Sequence, residues 1–315
     1  MRQGIGWINP EISKRSVSIL AGVVGGTGML AIILPHTFYL DKYRKITQAY
    51  KHGIPVKLKN EVREQANSVL QQVPILKRDI IRIDFFCGYG FDPFCIGSAK
   101  LTNGAFIGLP VNFAYTSTAD VDTFNIKVLN KTVAWETASG AALRSSLILS
   151  TAAQHYAIAT QIYHATTHHV WQRISLTTTI TLLAYTVLYR LNNRLALHAR
   201  KRSVRFTFYS LVIGMAALMW LFLSDALRVH HERGADDFAC SMGEDYIRGG
   251  IEYYEKLLQR NLALRELMGK EGEHKFSGKG NPRELFRFKH VPPTSRYEYV
   301  LHRLKEFHAN HQKND

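Results

Sequence analysis

The chain has 315 residues, of which 46% are hydrophobic and 21% charged, and its formal net charge is +15 at pH 7. This length and composition exclude a disordered chain as the default and allow one large domain or two modest ones, each with a real core. The basic residues flank apolar segments and form no patch interleaved with aromatic residues, so we expect no nucleic-acid partner.

The first predicted element is a membrane anchor. Residues 16–40 carry no charged side chain and are long enough to cross about 30 Å of hydrocarbon. Because this run is longer than a signal-peptide core and no small-residue cleavage pattern stands out, we expect an uncleaved anchor. Gly22 and Gly26 have the G-x-x-x-G spacing that lets a second helix approach closely, which makes them candidate helix-packing residues.

The polar region after the anchor has both helical and strand patterns. Apolar spacing predicts a helix over 60–73 and helical structure over 139–170. The remaining patterns predict strands over 80–86, 105–109 and 111–115, and a hairpin around Asn130-Lys131. Pro110 interrupts the second and third strands and suggests an edge strand or a bulge there.

Three cysteines, Cys87, Cys95 and Cys240, cannot all pair within one chain. Small buried or partly buried thiols are the favoured interpretation. A Cys87–Cys95 disulfide stays open, because spacing alone does not decide it.

Two further apolar stretches predict a transmembrane hairpin in the lipid bilayer. Residues 206–224 contain no charged side chain and are close to the length of a full span. Residues 174–189 are also uncharged but cover only about 24 Å. A buried core helix is therefore an alternative for this stretch, although its pairing with the next stretch favours a hairpin.

The connection within the hairpin is strongly basic. Five cationic residues crowd it, namely Arg194, Arg200, Lys201, Arg202 and Arg205. The positive-inside rule places this connection on the cytoplasmic or matrix side and the regions 41–173 and 225–315 on the opposite side. Three basic residues directly after the first span oppose that orientation, namely Lys42, Arg44 and Lys45.

The C-terminal region is predicted to be mainly helical. One long helix or two are predicted over 227–268, where Gly249-Gly250 marks a kink or a close helix contact. A polar loop over 270–281 and a last helix over 294–308 follow.

Long motifs in this C-terminal region resemble the transmembrane protein 177 family. They are residues 249–258 (GGIEYYEKLL), 261–265 (NLALR), 269–273 (GKEGE) and 285–290 (LFRFKH). The resemblance implies a mitochondrial inner-membrane protein that supports early maturation of cytochrome c oxidase subunit II. It also implies, as partners, that subunit, its membrane assembly chaperone and other oxidase assembly factors.

A more distant resemblance is to integral-membrane zinc metalloproteases of the HtpX and CAAX-processing type. Four elements carry it in chain order: Asn103-Gly104-Ala105-Phe106, the helix over 147–169, Glu232-Arg233-Gly234-Ala235-Asp236, and His290-Val291-Pro292-Pro293 with Arg296. Such enzymes place His-Glu-x-x-His on the first helix and a ligand glutamate on the second. The resemblance implies a fold of the same kind around the membrane hairpin.

This chain departs from the protease pattern at the residues that carry the chemistry. Thr160 and Gln161 stand where the first zinc ligand and the catalytic glutamate belong, and only His164 and Glu232 remain. We therefore predict no catalytic residue, no metal and no cofactor. The alternative is an active metalloprotease with a shifted site, because His164 and His168 are four residues apart on one expected helical face and can join Glu232.

The predicted fold is α+β with transmembrane helices: a degenerate metalloprotease-like domain with an inserted transmembrane hairpin and an N-terminal anchor. Its predicted parts are a tail (1–15), transmembrane helix 1 (16–40), an α+β region (41–173), transmembrane helix 2 (174–191), a basic loop (192–205), transmembrane helix 3 (206–225) and a helical region completing the same domain (226–315). The predicted function is a non-enzymatic assembly factor in the mitochondrial inner membrane, with the basic loop in the matrix and the polar regions in the intermembrane space.

Overall fold

The computed structural model describes residues 10–197, 200–284, 287 and 289–312. The side chains of residues 10–18, 20, 21 and 24 are not among those described. Most of the predicted tail, two residues of the basic loop and part of the 285–290 motif therefore lie outside the described residues. The chain divides into two compact units: unit 1 contains residues 1–35 and 169–227, and unit 2 contains residues 36–168 and 228–315.

Unit 1 consists of long apolar helices. They are α1 (Pro10–His36), which reaches the first residue of unit 2, α7 (His169–Arg194) and the first part of α8 (Arg202–Cys240). Among the described residues, α7 and α8 are the two helices long and apolar enough to cross a membrane. Helix α1 ends at His36, and α7 and α8 extend beyond 174–191 and 206–225; the limits of the membrane spans within these helices stay predictions.

The helix contact inside unit 1 does not use the predicted glycines. A Cβ atom at Gly25 would lie 3.0 Å from Thr181 Cγ2, and one at Gly28 would lie 3.3 Å from Thr177 Cγ2. Gly22 and Gly26 have no such neighbour within 4 Å among the described residues. The close approach of α1 and α7 thus uses Gly25 and Gly28, and a role for Gly22 and Gly26 toward another protein stays a prediction.

Unit 2 is built around a three-stranded sheet of β3 (Ile83–Gly88), β5 (Ala105–Pro110) and β4 (Phe94–Gly97), in that order. The β3–β5 pair is parallel and the β4–β5 pair antiparallel. The prediction of an edge strand at Pro110 is wrong, because β5 is central; the proline ends the strand, since it has no N–H for the ladder. The predicted strand over 111–115 is also wrong: Val111–Ala114 is a 3-10 turn.

The strand order of the sheet excludes a Cys87–Cys95 disulfide. Cys87 pairs with Leu109 and Cys95 with Ile107, so β5 lies between the two cysteines. Strands two places apart are separated by about 10 Å, whereas a disulfide requires Cα atoms within about 7 Å. Cys87, Cys95 and Cys240 are free thiols, as the favoured interpretation predicts.

Two small antiparallel ribbons accompany this sheet. They are β1 (Tyr50–Lys51) with β2 (Ile54–Pro55), and β6 (Lys127–Val128) with β7 (Lys131–Thr132). The predicted hairpin is present, but its turn is Leu129-Asn130, where both residues have positive φ. That combination is the requirement of a type I′ turn.

Eight α-helices of the described chain lie entirely within unit 2. They are α2 (Leu40–Thr47), α3 (Asn60–Gln72), α4 (Lys77–Ile80), α5 (Ala138–Ser146), α6 (Thr151–Thr166), α9 (Glu244–Leu267), α10 (Lys270–Lys275) and α11 (Pro293–Gln312). Of these, α2 and α6 contact the sheet, and α9 packs against α5, α6, α10 and α11. The predicted helical stretch 139–170 is two helices, because the Ser150 hydroxyl accepts a hydrogen bond from the Ala153 N–H and caps a new one. Helix α10 occupies part of the predicted 270–281 loop.

Helix α6 forms the centre of unit 2. Tyr156, Ala157, Ile158, Ala159 and Ile162 all have 0% exposure. The four consecutive buried residues 156–159 point to all sides of the helix, so this part of α6 lies inside the core. The architecture is consistent with the predicted α+β class, and it fixes α6 as the rigid element from which the candidate site is built.

Candidate functional site

The helices that the protease resemblance singles out meet at one cleft of unit 2. The cleft has a volume of about 640 Å³, and Gln161 of α6, Glu232 of α8 and Arg296 of α11 line it. His290 and Pro292, which precede α11, line it as well. Residues from three separate parts of the sequence are therefore brought together at a single site.

Asp236 accepts hydrogen bonds from three side chains at the centre of the site. It is 2% exposed and accepts hydrogen bonds from Tyr156 Oη at 2.8 Å and Tyr254 Oη at 2.7 Å. Arg296 donates to both of its oxygens, each at 2.7 Å, in a bidentate pair. Burial raises the pKa of both tyrosines, so they remain protonated donors. This network joins α6, α8, α9 and α11.

Each carboxylate oxygen of Glu232, the predicted surviving ligand, has a hydrogen-bond partner. Its carboxylate contacts His290 Nδ1 at 2.5 Å and accepts the Val291 N–H at 2.7 Å. Burial alone would raise the pKa of Glu232, but these two hydrogen bonds and the nearby Arg296 charge outweigh it, so the pKa lies below its usual value. Glu232 therefore ties the segment before α11 to α8.

Thr160 and Gln161 stand at the positions to which the protease resemblance assigns a zinc ligand and the general base. Thr160 is 6% exposed, and its hydroxyl donates to the Ala157 carbonyl at 2.7 Å. Gln161 lines the cleft, and its Nε2 donates to Thr160 Oγ1 at 3.4 Å. A carboxamide does not take up a proton near neutral pH, so Gln161 offers hydrogen bonds in place of general-base chemistry.

The alternative interpretation requires His164 and His168 on one helical face. Helix α6 ends at Thr166 and Thr167 is extended, so exposed His168 does not share a helical face with His164. The expectation of a common face is therefore wrong. Within the described part of the chain, no group of three or more His, Cys, Asp or Glu side chains is placed to hold a metal ion.

His164 has an unusual protonation equilibrium. Burial and then the positive charge of Arg296 lower its pKa to about 4, against the opposing effects of Glu232 and Asp236. The side chain is therefore neutral at pH 7. In a neutral imidazole one ring nitrogen donates and the other accepts.

This shift predicts a pH-dependent stability. Between pH 6.5 and 4 the unfolded chain protonates His164 and the native chain does not, so stability falls as pH falls through that window, by at most ~3 kcal/mol. We expect His164→Gln to reduce the slope of unfolding free energy against pH, measured by denaturant titration in nanodiscs. His155 and His231 also have pKa values lowered by burial and keep part of the slope. An unchanged slope in the variant would contradict the assignment.

Close packing of α6 against α9 positions the tyrosines. A Cβ atom at Gly249 would lie 2.2 Å from the Ala152 oxygen, and one at Gly250 would lie 2.6 Å from the Tyr156 ring. Of the two predictions for this glycine pair, the close helix contact is confirmed. Without side chains there, α9 lies close enough for Tyr254 to reach Asp236.

Arg260, which lines one wall of the cleft, is not among the residues predicted from the sequence. Arg260 of α9 donates to Asp92 Oδ2 at 2.8 Å and to the Phe91 carbonyl at 3.3 Å, which joins α9 to the β3–β4 connection. Arg260 is 9% exposed, and an arginine so deeply buried needs a partner. The available signal is its spacing of seven residues, about two helical turns, from Tyr253 on the same side of the helix.

The comparisons with known proteins agree with one another. A family model described as Transmembrane protein 177 matches residues 14–306. The protein named Transmembrane protein 177 from Danio rerio is 30% identical over 314 residues, covering 95% of this chain and 96% of the relative. Its namesake from Homo sapiens is 31% identical over 300 residues, covering 92% and 93%.

A further relative of that name, from Xenopus laevis, is 28% identical over 288 residues, covering 89% of this chain and 92% of the relative. No solved structure matches the chain, so the resemblance to zinc metalloproteases stays a prediction. The matches extend over nearly the whole sequence and include both candidate membrane helices, and the chain belongs to the transmembrane protein 177 family.

Proposed function

We propose that this protein is a non-enzymatic assembly factor of the mitochondrial inner membrane that holds newly made cytochrome c oxidase subunit II together with its membrane chaperone. Family membership and the two candidate spans support the membrane location. The family resemblance supports the mitochondrial assignment and, as further partners, other oxidase assembly factors. In this proposal the basic connection lies in the matrix and unit 2 in the intermembrane space.

The single observation that carries the non-enzymatic part is the chemistry of the cleft. Glu232 is bound by His290 and Val291, and a glutamine lines the cleft where a protease needs a general base. The remaining wall is partly apolar, with Leu257 and Phe276 among the lining residues. A pocket with apolar walls and a few oriented polar groups is suited to binding. The cleft can thus hold a polypeptide segment without cleaving it.

Deletion of the gene tests the proposal directly. In cells lacking the protein, pulse-labelled subunit II is expected to disappear several-fold faster during the chase, while the other mitochondrially made subunits keep their lifetimes. Re-expression of the wild-type chain should restore the lifetime of subunit II. Equal lifetimes of subunit II with and without the protein would refute the proposal.

A matched pair of α9 variants tests the cleft itself. Leu257→Lys places a charge in the cleft wall, and we expect it to restore little of the subunit II lifetime. Leu262→Lys changes an α9 leucine that is 37% exposed and is not among the cleft-lining residues. It should act like the wild type at equal protein level. Equal activity of the two variants would show that the cleft does not hold the client.

Metal analysis separates this proposal from the metalloprotease alternative. We expect the purified full-length protein to contain far less than one zinc per chain, and His164→Ala to leave the content unchanged. A catalytic zinc normally has three protein ligands. Stoichiometric zinc lost in His164→Ala, with chelator-sensitive cleavage of an unfolded membrane protein, would establish the alternative.

A further inference from the structure

One end of unit 2 is tied to the membrane by the chain itself. The chain passes between the two units after Pro35, after His168 and before Arg228. Within unit 2, the Gly97 N–H donates to His36 Nδ1 at 3.3 Å, and Ser98 Oγ donates to the Thr167 carbonyl at 3.0 Å. The residues that begin the β4–β5 connection therefore lie beside two of the three passage points.

A short turn lies at the same end of unit 2, next to the β4–β5 connection. We name residues 76–81, which include α4, the α4 turn. Directly after it, Arg82 Nη1 donates to the carbonyls of Ala99 at 3.4 Å and Leu101 at 3.3 Å. The Arg82 carbonyl accepts the Ala105 N–H at 2.8 Å. These bonds fix the α4 turn to the connection that contacts His36 and Thr167.

The surface of the α4 turn is unusual for a protein facing water. Ile81 is 86% exposed and Leu76 is 60% exposed, and Phe38, two residues after His36, is 82% exposed. Lys77 and Arg78 are exposed between the two aliphatic residues. Large exposed apolar side chains grouped with basic ones are typical of segments that lie in a membrane interface.

The one acidic residue of the α4 turn does not oppose an anionic surface. Asp79 is 1% exposed and pairs with Lys100 inside unit 2. The Nε atom of the exposed Arg78 lies 3.9 Å from the other carboxylate oxygen of Asp79, whose charge Lys100 already balances. The charge presented outward is therefore that of Lys77 and Arg78. Basic side chains next to a membrane anchor are attracted to anionic phospholipid headgroups.

We propose that the α4 turn, with Phe38, is a membrane-interface contact that inserts Leu76 and Ile81 among the headgroups of the adjoining leaflet and binds anionic phospholipid through Lys77 and Arg78. This contact fixes the orientation of unit 2 on the bilayer. It is independent of any client, because it needs only this chain and the lipid.

The test uses the full-length chain in nanodiscs that contain phosphatidylcholine with or without phosphatidylglycerol. A nitroxide is attached to Ile81→Cys or to the control Phe124→Cys, and its accessibility to oxygen and to a water-soluble nickel chelate is measured by power-saturation electron paramagnetic resonance. Both native side chains are 86% exposed. Phe124 lies two residues after Asp122, which pairs with Lys51 of β1. The Ala49 N–H, next to β1, donates to the Cys87 carbonyl. Cys87 lies about 13 Å along β3 from Ile83, so the control position is near the end of the strand that is opposite the α4 turn. The wild-type chain is treated with the same reagent, and its signal measures the labelling of the native Cys87, Cys95 and Cys240.

We expect the label at position 81 to be shielded from the nickel chelate and open to oxygen, and the label at position 124 to show the reverse. Lys77→Glu combined with Arg78→Glu should weaken insertion at position 81 by roughly 30-fold or more in anionic nanodiscs, and much less in neutral ones. Nickel accessibility at position 81 equal to that at position 124 would overturn the proposal. Shielding from both reagents would also overturn it, because a protein contact would then cover the turn.

Discussion

Asp236→Ala is expected to lower the free energy of unfolding by about 3–5 kcal/mol, because it leaves the buried Arg296 guanidinium without its partner. Two tyrosine hydroxyls lose their acceptor in the same step. The effect is measured by denaturant unfolding of the full-length chain in nanodiscs, followed by tryptophan fluorescence, to which Trp135 of unit 2 contributes. Asp236→Asn should also be strongly destabilising, since it keeps the shape of the side chain and removes the charge.

The adjacent residue provides the matched control. Asp237 contacts Tyr299 Oη at 2.9 Å and Arg303 at 3.1 Å, but its side chain is 58% exposed. Exposed ion pairs contribute about 0–1 kcal/mol, so Asp237→Ala should cost less than about 1 kcal/mol. Equal losses at the two positions would mean that the Asp236 network does not hold the four helices together.

The sequence was sufficient to select much of the site. The protease resemblance singles out Glu232, Asp236 and the late His-Pro element with Arg296, and hydrogen bonds join these residues in the structure. Periodicity also predicts α3 and the α6 region, because each has apolar residues at helical spacing. One charge-free stretch of nearly full span length, paired with a shorter one, predicts the helices of the membrane hairpin.

Other features depend on contacts that no local pattern encodes. The central position of β5 results from strand pairing across the chain, so Pro110 was misread as an edge signal. His168 lies outside α6 because Thr167 adopts an extended conformation, although the spacing from His164 is that of a helix face. Gly25 and Gly28, not Gly22 and Gly26, contact α7, since the rotation of a helix about its axis depends on its neighbours.

Gly249→Ala is expected to destabilise the protein by about 3 kcal/mol, at the upper end of the usual cost of overpacking. The added Cβ would lie 2.2 Å from the oxygen and 2.3 Å from the carbonyl carbon of Ala152. Both are backbone atoms of α6, so no rotamer change relieves the overlap and the two helices must separate. Separation also moves Tyr254 away from Asp236, which couples this change to the network at the centre of the site.

Gly214→Ala in α8 is the control, because a Cβ there meets no described atom within 4 Å. We expect its stability to equal that of the wild type. Gly250→Ala should be destabilising as well, since the added Cβ would lie 2.6 Å from the ring of Tyr156, which is 0% exposed and bonded to Asp236. If unfolding in nanodiscs gave the same stability for Gly249→Ala and Gly214→Ala, the close α6–α9 contact would not be what positions the tyrosines.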